Sequence, residues 1–365
     1  MRIKMRSLAL RINQGLLIPI LITVVLFYGK PILVPLCFAI LLSMLLAPVC
    51  RFLDKKGWPR GLSCTACIFL VILFIALMFF VITMQIAGFV DDFEKITAKA
   101  DEIWVHLQEW VQKKLDISPE KQDDMIKNQV EAAKKSSGAG AGKIVAGITG
   151  LLGGIAIVLV LTFLLLFHKE KYQQFFLKLF ATPNKPNVRQ TLEEITHVSQ
   201  QYLTGRMMSM FFIFVLYAIA LLIIGIKGAL LLAGITALLT IIPYVGSVLG
   251  GLIPFMTAAV TEPSIQPAIW VLAAIVIIQA IDNYVIEPNV IGSEVGLSAI
   301  STIVAILIGG FLWGVAGMVL FIPLISILKI IFDHVETLKP YGFLLGDEGK
   351  STSSKLFDLF KKKKK

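Results

Sequence analysis

Gln279–Gly292 reads QAIDNYVIEPNVIG and closes an apolar run, Ala268–Ile278. With its flanks, Pro267–Val285 has about the 20 residues needed to cross a bilayer. An acid, Asp282, sits in that span beside Gln279 and Asn283. A charged carboxylate at the centre of a membrane helix costs about 2.5–3.5 kcal/mol on insertion scales, so such residues are usually paired or functional. Pro288 is expected to end the helix, because proline has no N–H to donate. Polar side chains beside broken helix at membrane depth are how transporters build solute sites.

The whole chain has a membrane composition. Of its 365 residues, 57% are hydrophobic and only 16% charged, with a mean hydropathy of +0.83. A soluble domain carries about 25% charged residues. The expected fold class is all-α: a polytopic transmembrane helical bundle of about eight membrane segments. Two of these are interrupted, kinked or re-entrant, and a small helical insert lies outside the bilayer. The net charge of +10 does not point to nucleic acid. It gathers in short segments beside the apolar runs, which is a topology signal. Cys64 and Cys67 form a CxxC at the start of an apolar run, with no βαβ context, and read with Cys37 and Cys50 as small apolar helix residues. The histidines His106, His168, His197 and His334 are scattered, so no metal site and no cofactor is expected.

Working outward, the first span is expected over about 16–28, uncleaved, with a tight turn at Gly29-Lys30-Pro31. The second covers about 32–52 and the third about 62–90, so residues 1–90 hold three spans. Residues 91–142 carry eleven acids and eight lysines. There Ile103, Leu107, Trp110 and Val111 have helical spacing, and Ser136–Gly142 reads as a hinge. This is the extramembrane insert. Residues 143–167 make a fourth span, and 168–201 read as two interfacial helices broken at Pro183 and Pro186. Residues 202–335 form the C-terminal transmembrane core. Within it, Ala229–Ile242 and Val248–Val260 flank a break at Pro243-Tyr244-Val245-Gly246. Each half is short for a span, so the pair is either one kinked span or a re-entrant hairpin. Ser298–Phe332 repeats the ambiguity, interrupted at Gly309 and Gly310. Residues 336–365 are a hydrophilic tail ending in five lysines, suited to anionic lipid.

Residues 1–11 carry four basic residues and no acid, whereas the insert is net negative. The positive-inside rule therefore puts both termini in the cytoplasm and the insert outside.

Gln279, Asp282 and Asn283 lie at i, i+3 and i+4 and share a helix face, which can present acceptors to a polyol or a cation. The same face can serve as a structural network to a neighbouring helix. A buried carboxylate there also suits proton coupling. Glu287 can gate or bind a cation, or be a solvated rim carboxylate. Arg206 can snorkel to headgroups or pair with Asp282 or Glu287. Pro243, Tyr244 and Gly246 mark one break, whose freed backbone groups need partners. Pro288 with Gly292, and Gly309 with Gly310, are candidate break or gating positions. Enzymatic motifs are missing: there is no GxSxG, HExxH or Walker-type sequence.

Four motifs in order carry a resemblance. They are Tyr202-Leu203-Thr204-Gly205-Arg206, Ile242–Gly246, Asp282–Pro288 with Gly292, and Gly309–Gly314 with Gly317 and Phe321-Ile322-Pro323-Leu324. In these the chain resembles the autoinducer-2 exporter family of bacterial membrane permeases. The resemblance implies a multi-pass inner-membrane permease, export of the quorum-sensing signal autoinducer-2, and a homo-oligomer. Other members are reported to exchange cations for protons. The expected function is a secondary-type transporter of a small polar solute. The alternatives are a monovalent cation/proton antiporter and a non-transporting scaffold subunit.

Overall fold

The computed structural model describes residues 17–18, 20–77, 140–179, 188–243, 245–262, 264–290 and 296–347. Most of the expected insert, Tyr244, Gly292 and the lysine tail lie outside the described residues.

Helix α1, Lys30–Lys55, has proline in its first turn, where the missing N–H has no partner to lose. Gly29 is a one-residue turn between the helix over 20–28 and α1. It has φ −77° and ψ −4°, donates to Val25 O at 2.8 Å and accepts from Leu33 N at 2.9 Å. Helix α2, Arg60–Leu77, packs on α1 through Cys64 and Cys67 against Cys50. Cys50, Cys64 and Cys67 are free, buried thiols packed with Leu46 and Leu166. Helix α3, Gly140–Phe167, begins inside the glycine stretch expected to be a hinge. A 69° bend then leads into α4, Lys169–Leu179.

Helix α5 runs unbroken from Val188 to Ile224, 37 residues and about 55 Å long. The second interfacial helix expected before residue 202 is therefore the first part of this helix. No proline lies between Val188 and Ile224, so nothing ends it. It is the hub of the molecule and touches α1, α4 and most elements that follow.

Beyond it, α6 (Ala229–Leu239) and α7 (Val245–Thr261) pack back to back. Thr236 of α6 donates its hydroxyl to Gly250 O of α7 at 2.7 Å. A Cβ on Gly246 would overlap the Leu239 carbonyl. The interrupted segment is thus a hairpin and not one kinked span. Helix α8, Gln266–Ile281, continues through a π turn, Asp282–Ile286, into Glu287–Val290. Pro288 does not end the helix. The ladder widens just before it, with Glu287 N–H reaching back five residues to Asp282 O. That wider turn makes room for the proline ring, which presses on the carbonyl four residues earlier.

A second hairpin joins α9 (Ala299–Trp313) to α10 (Val315–His334). Its break falls at Gly314 and not at Gly309–Gly310. Gly314 has φ +63°, which side-chain-bearing residues rarely adopt. Gly309 and Gly310 stay helical, and Gly309 lies directly against Gly317. The described part of the expected tail, 336–347, is folded and packs on α10. A 3-10 turn, Glu336–Leu338, and helix α11, Lys339–Leu345, fold back so that Leu345 O accepts from Ser298 N at 2.9 Å.

Among the described residues, five helices are long and apolar enough to cross a membrane, or six with the bent α3–α4 pair. The count of about eight is not reached, because α6, α7 and α9 are 11, 17 and 15 residues long. Among the described residues, the largest core joins Ile213, Tyr217 and Leu221 of α5 to Leu232 of α6, Ala258 of α7 and Val271 of α8. It fixes the first hairpin and α8 against α5.

Candidate functional site

A cavity of about 870 Å³ lies among α5, the first hairpin and α8. Each wall has a sequence cause. Arg206 and Ser209 are one turn apart on α5, so both point the same way. The hairpin turn brings Thr240, Pro243 and Ser247 to the cavity. The end of α8 supplies Gln279, Asp282, Asn283 and Glu287. Further along both helices the lining turns apolar, with Leu252 and Phe255 on α7 facing Leu272 and Ile275 on α8.

Asp282 is buried, and Ser209 donates its hydroxyl to the Asp282 carboxylate at 3.3 Å. Gln279 Nε2 donates to Asn283 Oδ1 at 3.2 Å, the spacing of adjacent turns. The π turn separates the roles of neighbours. Asp282 turns inward to α5, whereas Tyr284 is 82% exposed. Arg206 lines the cavity with both acids, yet no ion pair joins it to either among the described residues. Its Nε is buried without a hydrogen bond. The guanidinium and the two carboxylates give the cavity its polar pole.

Six expected residues thus come together: Gln279, Asp282, Asn283, Glu287, Arg206 and Pro243. Gly246 is spent in the hairpin crossing, and Gly251 is the glycine at the cavity wall, where a Cβ would meet Ile275 at 2.9 Å. Gly309 and Gly310 belong to the other hairpin, and Pro288 is not in the lining. Ser209, Thr240 and Ser247 were missed. Ser209 was signalled by its place one turn beyond Arg206, and Thr240 and Ser247 by flanking Pro243. The arrangement can hydrogen-bond a polyol or hold a cation between carboxylates. Among the described residues, no three His, Cys, Asp or Glu side chains converge on a metal position.

Known proteins bear on this arrangement. The sequence pattern described as AI-2E family transporter matches residues 16–337. Three similar proteins share the name "Putative transport protein". YrrI of Bacillus subtilis (strain 168) is 26% identical over 321 residues, covering 84% of this chain and 87% of its own. YueF of the same organism is 23% identical over 354 residues, covering 92% and 94%. YhhT of Escherichia coli (strain K12) is 23% identical over 321 residues, covering 86% and 88%.

Proposed function

Since the chain belongs to the AI-2E transporter family, we propose that it is a secondary-type permease moving a small polar solute by alternating access. As a family member it is a multi-pass protein of a bacterial membrane, and a transport protein rather than an enzyme. The observation that carries the proposal is the cavity holding Arg206, Asp282 and Glu287 with the amides of Gln279 and Asn283. Charged side chains at membrane depth beside a helix hairpin and a π turn are the parts from which a solute site is made. Asp282, Gln279 and Asn283 bind, Arg206 and Glu287 complete the polar pole, and the hairpin around Pro243 gates.

The solute we assign is autoinducer-2 or a similarly small polyol, which would give the protein a role in quorum sensing. Its hydroxyls match the mix of donors and acceptors in the lining. Monovalent cation/proton antiport is the second reading. It is favoured by two carboxylates sharing one guanidinium, which leaves one negative charge to neutralise. In either case the two hairpins belong to a bundle of about eight membrane segments, two of them interrupted, and both termini face the cytoplasm. The protein works as a homo-oligomer in the inner membrane, with the lysine tail on anionic lipid.

Transport by the purified chain in liposomes tests this. Movement of labelled autoinducer-2 supports the exporter. Proton movement driven by sodium or potassium, without signal movement, supports the antiporter. If neither moves, both readings are wrong.

A further inference from the structure

The end of the α1–α2 pair and helix α4 form one surface that the transport cavity does not use. Helix α4 leaves α3 at 69° and buries none of its residues. Tyr172, Phe175, Phe176 and Leu179 recur at i, i+3, i+4 and i+7, making one stripe. They are 45%, 56%, 41% and 59% exposed, so the stripe faces away from the protein. At the neighbouring end of α1, Phe52 and Trp58 are 57% and 47% exposed. Two ion pairs fasten the pieces together: Arg60 to Glu170 at 2.7 Å and Lys169 to Asp54 at 3.6 Å.

Those pairs also decide the charge of the surface. Its acids, Asp54 and Glu170, are both engaged. Arg51, Lys55, Lys56, Lys171 and Lys178 have no ion pair among the described residues. What remains is an aromatic stripe bordered by uncompensated cations, at the end of helices long enough to span a bilayer. Aromatic residues settle at headgroup level, and helices of this kind lie in the interface plane.

We infer that this surface is a docking platform for anionic phospholipid of the bilayer the chain crosses. The stripe of α4 sinks to the acyl boundary, and the lysines hold the headgroup phosphates. Charge complementarity selects lipid over a second copy of the same basic surface, which would be repelled.

The test uses the full chain in nanodiscs of phosphatidylethanolamine and phosphatidylglycerol. A spin label is attached at Phe176→Cys or, on the opposite face, at Gln174→Cys. The native cysteines are buried or half-buried, and unlabelled wild type checks background labelling. The label at 176 is expected to relax more with oxygen than with a water-soluble nickel complex, and the label at 174 the reverse. Equal exposure of both to nickel overturns the proposal, as does shielding at 176 from both reagents, which would mean a protein cover. Native mass spectrometry supplies a second readout. Wild type should retain phosphatidylglycerol over phosphatidylcholine. The selectivity should fall by about five-fold for each lysine removed, read on Lys171→Gln and on Lys55→Gln/Lys56→Gln. Unchanged selectivity also overturns it.

Discussion

Thr236 donates its hydroxyl hydrogen to the Gly250 carbonyl at 2.7 Å, and that carbonyl is the one Pro254 leaves without its helical partner. Proline at position 254 has no N–H for the residue four earlier. The hairpin facing the cavity is therefore closed by a bond that repairs a defect in its own second helix. The consequence is measurable. Thr236→Val, nearly the same shape, should destabilise by about 1–2 kcal/mol, the cost of a buried acceptor left open. Pro254→Ala restores the helical donor, so Thr236→Val in that background should cost clearly less. Unfolding in mixed micelles, run as a double-mutant cycle, checks both.

The same logic recurs in α1. Pro48 strips the Met44 carbonyl, and Gln200 of α5 donates to it at 2.6 Å. Gln200→Leu should weaken the α1–α5 contact by about 1–2 kcal/mol. Pro48→Ala should rescue most of that loss, again read by unfolding in micelles.

Glycines of the second hairpin separate by what a Cβ would meet. At Gly309 it would strike the Gly317 backbone, and at Gly317 the Gly309 backbone. At Gly310 it would meet only the flexible Met318 side chain, Cε at 2.7 Å and Cγ at 3.2 Å. Gly309→Ala and Gly317→Ala should each lower the melting temperature of the purified protein. Gly310→Ala should leave it nearly unchanged, since Met318 can turn aside.

Removing Arg206 leaves Asp282 and Glu287 in one cavity without their cation. Arg206→Gln should reduce transport at least about ten-fold, while Arg206→Lys keeps the charge, loses the planar fork and should fall between. Liposome flux, with melting temperature as the control for folding, measures this.

Much of this molecule was legible in its sequence because hydropathy and proline leave strong marks. The five long apolar helices, the break at Pro243 and the acid at 282 are all visible as residue types. What escaped was conformation that residue types permit without requiring. The second hairpin turns at Gly314 and not at the Gly309–Gly310 pair. Pro288 looked like a stop, but a π turn absorbs it. The serines and threonines of the cavity escaped for another reason. Small hydroxyls are as common in helix contacts as in sites, and only the fold shows Ser209 against Asp282 and Thr240 and Ser247 in the cavity lining.

If Asp282 carries transport, solute flux in liposomes should separate Asp282→Asn from wild type. Asparagine keeps the shape and can still accept from Ser209, so the fold should survive and only the charge is lost. The variant is expected to fold correctly, with flux reduced to the level of empty liposomes. A folded variant that transports at the wild-type rate would contradict it.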